Sequence, residues 1–218
     1  MPEPVTIIGV GAGLAALTTH LARRFFSLAK EVFDIVAGSV LLVLALPVLA
    51  VCAVIIKLSS KGPVIFTQIR AGQDGKPFRM YKLRTMYADA ESASGAVWAT
   101  RGDPRVVATC RWMRRCHIDE LPQLLNVVRG DMSLVGPRPE RPEIIDELEK
   151  VYPEVRKRLS VRPGITGLAQ IRNGYDTSVD AFRDKLRADL EYIERRNWST
   201  ELRILTATLP KFHDKTAH

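Results

Sequence analysis

The sequence predicts a mainly helical α+β protein seated at a membrane, and three features carry that expectation. From Ile35 to Ile56 no residue is charged, and the run is dense in Val, Leu, Ile and Ala. Two β-branched, aromatic-rich runs, Val64 to Ile69 and Phe78 to Leu83, flank a turn at Gly72 and Asp74-Gly75 and read as a β-hairpin. Most of the rest places apolar residues at helical spacing, punctuated by Pro and Gly. The 218 residues suit one compact domain with its membrane segment. The division is 1–30, an amphipathic membrane-contacting segment; 31–57, a membrane helix; and 58–218, an aqueous domain closed by an interfacial helix.

Composition excludes several classes. A 46% hydrophobic share with 26% charged residues is not that of a disordered chain. A single stretch long enough to cross about 30 Å of hydrocarbon excludes a multi-spanning transporter. The 3 cysteines form no disulfide framework and point to reduced thiols; Cys110 and Cys116 lack a CxxC partner for zinc. The net charge of +8 calls for an anionic partner: nucleic acid, a phosphorylated small molecule or a membrane face. With 7% aromatics and no DNA or RNA motif, nucleic acid is not expected.

The apolar run starts too late and runs too long for a secretory signal, and no cleavage site follows it. Pro47 lies inside it, where a proline removes a backbone hydrogen bond and bends or breaks a helix. Arg23, Arg24 and Lys30 precede it, and Lys57 and Lys61 follow. A straight span would put one basic cluster outside, against the positive-inside rule; a helix that enters, breaks at Pro47 and returns keeps both inside. On charge alone both forms stay open. Asp34, near the entry, is either functional or an interface residue.

At the N-terminus, Gly11-x-Gly13-x-x-Ala16 with Glu31 further on matches a dinucleotide fingerprint. No βαβ repeat follows, so a small-residue helix from about Leu14 to Lys30 is the better reading.

In the aqueous part, Arg79, Lys82 and Arg84 form a basic strip on and beside the second hairpin strand. Tyr87 to Gly102 reads as a loop or weak helix. Asp103-Pro104 opens an expected helix from Arg105 to Cys116 that buries Val106, Val107 and Met113. Asp119 to Val128 follows, with Leu121, Leu124, Leu125 and Val128 on one face and Gly130 as its stop. Arg141 to Leu159, interrupted at Pro153, has Ile144, Ile145, Leu148 and Val151 as its apolar set. Pro163-Gly164 and Gly167 mark a tight loop. Asp180 to Asn197 is a helix with Phe182, Leu186, Leu190 and Ile193 inward, and Trp198 to Phe212 an interfacial helix.

Chemistry concentrates at Asp119-Glu120. Leu121-Pro122 follows, and proline is tolerated in a first helical turn, so both carboxylates fall at a helix N-terminus. Free N–H groups and the dipole there lower a carboxylate pKa and attract phosphate. Arg114 and Arg115 lie one turn upstream. Arg138 in Gly136-Pro-Arg-Pro139 and Arg162 before Pro163-Gly164 are presented from rigid loops, where a guanidinium fork suits phosphate. By physics alone, capping is the commoner role of Asp-Glu at a helix start, and Arg-Pro loops are commonly plain surface.

The stretch from His117 through Asp119-Glu-Leu-Pro-Gln and Asn126-Val-Val-Arg-Gly-Asp-Met-Ser to Gly136-Pro-Arg-Pro139 resembles the signature of the bacterial sugar transferases, the monotopic polyprenyl-phosphate phosphoglycosyl transferases. Matching blocks are Val32-Phe-Asp34 with the proline-broken run, Gly62-Pro-Val-Ile-Phe-Thr-Gln68, Tyr81-Lys-Leu-Arg-Thr-Met86 and Val161-Arg-Pro-Gly-Ile-Thr-Gly167, covering Leu28 to Phe212 in the family's order. The resemblance implies a re-entrant helix broken at Pro47, with both ends cytoplasmic, and a small catalytic domain resting on the cytoplasmic face of the bacterial inner membrane. It also implies a two-step exchange. Asp119 attacks the sugar-bearing phosphate of a nucleoside diphosphate sugar, and polyprenyl phosphate, in bacteria undecaprenyl phosphate, then takes the phosphosugar. Glu120 assists as magnesium ligand or proton acceptor, and Mg²⁺ on Asp119 and Glu120 offsets charge repulsion. Arg114 and Arg138, then Lys82, Arg84 and Arg162, are the phosphate contacts expected. The partners are thus donor, lipid phosphate and bilayer, with a homodimer left open.

Several positions depart from the pattern. Cys116-His117 stands where Thr-Ser or Leu-Ser is usual, Leu168 replaces a common Trp, and Arg172-Asn-Gly174 differs from the usual polar run; these bear on sugar specificity. His117 alone is expected to be structural rather than a general base. The first thirty residues do not carry the transmembrane bundle and regulatory domain of longer relatives. The rival reading is a non-catalytic, membrane-anchored module that holds anionic lipid.

Overall fold

The computed structural model describes residues 8–87, 90, 103–173 and 179–210. Most of the expected 87–102 loop and the end of the last helix lie outside them. The fold is a small, mainly helical α+β domain beside one long apolar helix. That helix, α1 (Ile8–Ser59), has 52 residues and would extend about 78 Å at 1.5 Å per residue if straight. Gly11, Gly13 and Ala16 are helical, so the glycine pattern has no strand–turn–helix context. Helical backbone also continues through Pro47. Pro47 lies within it, where its ring strips a hydrogen bond without ending the flanking turns.

One stripe of α1 docks on the domain. Lys30, Asp34, Gly38, Ala45, Cys52 and Ile56 are buried, and Leu42 and Leu49 are partly so, at spacings of three to four residues. The remaining faces expose Val36, Val40, Val43, Leu44, Val51 and Val54. At Gly38 a Cβ would lie 3.0 Å from Val127 Cγ1, so glycine permits a close approach there.

The hairpin forms as expected. Strands β1 (Ile65–Ala71) and β2 (Pro77–Leu83) are antiparallel, with Phe66 opposite Lys82 and Gln68 opposite Met80. Beyond it the expected 105–116 helix is shorter. Tyr87 N–H donates to the Arg105 carbonyl and Val107 N–H to that of Thr85, so this segment pairs as extended chain and helix begins later. A 3₁₀ turn at Ala108–Cys110 leads into α2 (Arg111–Arg115), while Val106, Val107 and Met113 are buried as foreseen. Asp103 caps no helix; its buried carboxylate is paired with Arg105.

Next come the 3₁₀ turn Ile118–Glu120 and α3 (Gln123–Val128). The inward face of α3 is Gln123, Leu124, Asn126 and Val127, while Leu121, Leu125 and Val128 are half-buried. The 3₁₀ turn, at about three residues per turn, rotates the face away from one projected with helical spacing from Asp119. Strand β3 (Ser133–Val135) pairs in parallel with β4 (Gly164–Thr166), with Ser133 opposite Gly164 and Val135 opposite Thr166. A Cβ on Gly136 would sit 2.5 Å from the Arg162 carbonyl, and one on Gly164 would be 2.0 Å from Gly136 N, so only glycines allow these backbones to meet. The helix α4 (Pro142–Val151) buries Ile145 and Leu148. Val151 is exposed, because the chain turns away at Tyr152-Pro153 and Val155 takes its place in the core. After α5 (Leu168–Asn173), α6 (Val179–Glu194) buries Phe182, Leu186, Ala188 and Tyr192, with Leu190 and Ile193 half-buried. Asn197 does not extend α6; its side chain accepts the Thr200 N–H and caps α7 (Trp198–Thr208).

A buried polar network fastens α1 to this body. Lys30 Nζ lies 2.8 Å from Glu201 Oε2 and 3.2 Å from Asp34 Oδ2. Ser133 Oγ and Leu134 N–H donate to Asp34 at 2.7 and 3.3 Å, and Tyr192 OH reaches Glu201 at 2.7 Å. Asp34 is thus an anchor for β3.

Candidate active site

The carboxylate pair is aimed by a kink in the backbone. α2 ends at Cys116, and His117 takes the left-handed conformation at φ 52°, ψ 19°, which few residues other than glycine adopt. His117 N–H donates to the Arg114 carbonyl, and its own carbonyl accepts Glu120 N–H at 3.1 Å. Asp119 and Glu120 follow in the tight turn and are both buried. Glu120 N–H is spent inside that turn, so the expected open helix terminus gives way to a closed one. His117 serves here through its backbone.

The two carboxylates have opposite surroundings. Arg138 grips Glu120 with both arms of its fork, Nη1 to Oε2 at 3.1 Å and Nη2 to Oε1 at 2.5 Å. Lys82 Nζ adds a bond to Oε1 at 3.0 Å. Burial alone would raise the Glu120 carboxyl, but Arg138 and then Lys82 hold it well below the usual carboxylate range. Among the described residues no hydrogen bond or ion pair reaches the Asp119 carboxylate. Burial first, and the Glu120 charge second, push Asp119 up to about 6, against the pull of Lys82, Arg114 and Arg138. The expected lowering by a helix dipole is overridden. Burial likewise lowers the Lys82 ammonium, with Glu120 opposing. The outcome is one ionised, clamped carboxylate beside one unclamped carboxylate.

Three elements supply the cations. Lys82 comes from β2, whose Tyr81 N–H and Arg79 carbonyl are both bonded by the fully buried Asn126 side chain of α3. Arg114 sits at the end of α2, with Nη1 donating to Thr85 Oγ1 at 3.3 Å. Arg138 leaves β3 on a loop whose carbonyls are each held. Gly164 N–H donates to Pro137 O at 2.9 Å, Arg158 Nη2 to Arg138 O at 2.9 Å and Arg70 Nη1 to Pro139 O at 3.1 Å. A shallow surface depression lies beside this loop, bounded by Gly72, Pro137, Arg138, Glu140, Leu159 and Pro163.

The structure therefore brings together Asp119, Glu120, Lys82, Arg114 and Arg138. It engages the other two expected phosphate ligands elsewhere. Arg84 is buried and donates to the Ser60 and Lys61 carbonyls, closing the C-terminus of α1. Arg162 Nη2 lies 2.6 Å from Glu31 Oε1, also on α1. Sequence reasoning missed Asn126, Arg70 and the Arg158–Asp189 pair. Asn126 could have been flagged as a polar residue amid apolar neighbours on a short helix; nothing local marks Arg158 or Asp189 as buried.

The chain is similar to several known proteins. Residues 25–215 match the family described as Bacterial sugar transferase. A UDP-glucose:undecaprenyl-phosphate glucose-1-phosphate transferase of Caulobacter vibrioides is 44% identical over 192 residues, 87% of this chain and 72% of that protein. A UDP-N-acetylgalactosamine-undecaprenyl-phosphate N-acetylgalactosaminephosphotransferase of Aeromonas hydrophila is 42% identical, with 87% of this chain matching 44% of its length. The exopolysaccharide production protein PSS of Rhizobium leguminosarum is 40% identical over 83% of this chain and 92% of its own. The chain belongs to the bacterial sugar transferase family.

Proposed function

We propose that the protein moves a sugar-1-phosphate from a UDP-sugar to undecaprenyl phosphate through a covalent intermediate on Asp119, starting the assembly of a glycan at the cytoplasmic face of the inner membrane. The observation that carries this reading is the contrast within the dyad, an unclamped Asp119 beside a Glu120 held by Lys82 and Arg138.

An Asp119 carboxylate oxygen attacks the phosphorus that bears the sugar. A new P–O bond forms, the diphosphate bridge breaks, and its electron pair leaves on the oxygen of UMP. A phosphate oxygen of the lipid then attacks the same phosphorus, Asp119 departs as carboxylate, and a lipid-linked diphosphosugar is formed. Attack by an anion on an anion is opposed by charge, and preorganised cations offset it. Arg138 and Lys82 stand at the dyad, and Arg114 contributes its field; all three are fixed before substrate arrives. A carboxylate of raised pKa is also the better nucleophile once ionised.

The pair fits a magnesium ion of the kind that takes one or two carboxylates and completes its shell with substrate phosphate and water. Among the described residues no three Asp, Glu, His or Cys side chains converge, so no all-protein cage is offered. Among the described residues the Asp119 carboxylate has no hydrogen-bond or ion-pair partner to surrender, whereas Glu120 would share oxygens already held by Arg138 and Lys82. Asp119 and Glu120 would hold the ion, which when bound would neutralise phosphate charge.

Contact along α1 supports a re-entrant helix. Lys30 and Ile56 lie about 39 Å apart along a straight helix, and both dock on the same domain. A helix crossing the bilayer between them would drag that domain into hydrocarbon. The deciding test of function is UMP release by purified Asp119→Asn in lipid. We expect at least about 1,000-fold loss with the fold intact; turnover near wild type would refute the assignment.

A further inference from the structure

Arg158 and Asp189 form a buried pair that the chemistry above does not use. Arg158 stands in the 3₁₀ turn Val155–Ser160 and Asp189 on α6, and they are 4% and 1% exposed. Arg158 Nε and Nη2 donate to Asp189 Oδ2 at 3.1 and 2.7 Å, and the guanidinium centre lies 5.5 Å from the Phe182 ring. Such a pair gives little net stability, because desolvating two charges offsets their attraction and apolar replacements often do as well.

What the pair does is visible in its third bond. Nη2 also donates to the main-chain oxygen of Arg138 at 2.9 Å. Pro137 O is held by β4 and Pro139 O by Arg70 of β1, so three successive carbonyls are fastened to three different elements. The middle one belongs to the residue whose fork grips Glu120. A planar guanidinium holds two acceptors at a fixed angle, so Asp189 sets Arg158 and Arg158 sets the Arg138 backbone; an ammonium imposes no such angle. The Arg138 residue links the two: its carbonyl takes the Arg158 bond and its side chain grips Glu120 of the dyad.

We propose that Arg158, oriented by Asp189, is a positioning residue for the transfer: it sets the backbone from which Arg138 meets the reacting phosphate. This rests on the reading of Arg138 as a phosphate ligand. Misplacement of a catalytic group by about 1 Å can cost up to about 100-fold in rate.

The test compares the full chain in phospholipid vesicles with its Arg158→Lys, Arg138→Met and doubly substituted forms. UMP release is followed with undecaprenyl phosphate and UDP-glucose or UDP-N-acetylgalactosamine, whichever the wild type turns over, and folded protein is quantified by thermal melting. For Arg158→Lys we expect kcat per folded molecule to fall about 10-fold or more, with KM for the donor within about 2-fold. The double form should be no slower than Arg138→Met alone, because one residue acts through the other. A wild-type kcat in Arg158→Lys, or losses that multiply in the double form, would overturn the proposal. If Arg158→Lys does not fold, Asp189→Asn replaces it with the same expectations and the same contrary outcomes. Wild-type kcat in Arg138→Met would instead overturn the assignment of Arg138 as a phosphate ligand, a separately readable failure.

Discussion

In the proposed mechanism Asp119 owes its reactivity to what does not touch it. A carboxylate in a cluster of cations is ordinarily paired, and here Glu120 absorbs the fork of Arg138 and the ammonium of Lys82. Asp119 keeps their field without their hydrogen bonds, and burial lifts it to about 6. Because that value exceeds the unfolded one, near 3.9, the ionised group costs stability above pH 6, and the cost disappears as pH falls through 6 towards 4. Activity runs the other way, since the attacking form is the ionised one. The rate of UMP release in the first half-reaction should therefore fall on the acid side with a midpoint near pH 6. Stopped-time assays from pH 5 to 8 check this; a rate flat down to pH 5 would contradict it. At this scale the block pattern marked Asp119, Glu120, Lys82, Arg114 and Arg138 together, and the structure gathers them at one place. The pattern did not show that Arg84 would bond the carbonyls just past the end of α1, or that Arg162 would pair with Glu31 on α1. Charge is written in the sequence; the acceptor it finds is decided by tertiary packing.

Elements divide by the range of the forces that set them. The hairpin, α4 and α6 follow from local periodicity and turns, and their existence was readable. The 105–116 helix shrank because residues 105 and 107 bond to 85 and 87, a long-range pairing that propensity does not see. The inward face of α3 shifted because a 3₁₀ turn precedes it. The parallel β3–β4 pair was legible only as a tight glycine loop, since its partners are thirty residues apart and need Gly136 and Gly164 to touch. Docking of α1 depends on one cation shared by two buried acids, Asp34 and Glu201. Lys30→Ala strands both, which costs about 3–5 kcal/mol. We expect the thermal midpoint in lipid to drop by about 10 °C; a shift below 2 °C, read by melting, would show that the network does not fasten α1.

For the whole molecule, the decisive question is how α1 sits in the bilayer. Its exposed valines and leucines form an apolar surface around a docked stripe, and Trp198 of α7 meets Phe26 and Phe33 of α1 at 5.5 Å. Apolar surface thus continues from α1 along α7, where Trp198, Leu202 and, just past its end, Leu209 are exposed. Basic residues lie at both ends of the run, and one domain holds both ends. A re-entrant path places Arg24 and Lys61 on the same side. Cysteines put in their places should react with an impermeant maleimide equally in inside-out vesicles and not in intact spheroplasts; labelling of one from each side would mean a span. The proline and the charges were visible in the sequence, but the docking stripe that ties the two ends together was not, because it needs the fold of the domain.

The proposed transfer requires the carboxylate of Asp119 to become a phosphosugar ester. Intact-protein mass spectrometry after incubation with UDP-glucose and with UDP-N-acetylgalactosamine, magnesium present and lipid acceptor absent, tests that directly. A mass gain of one phosphosugar, absent in Asp119→Asn and discharged by undecaprenyl phosphate, is the predicted result. An enzyme that turns over with one of these donors yet never shows an adduct under quenched single-turnover conditions would contradict it.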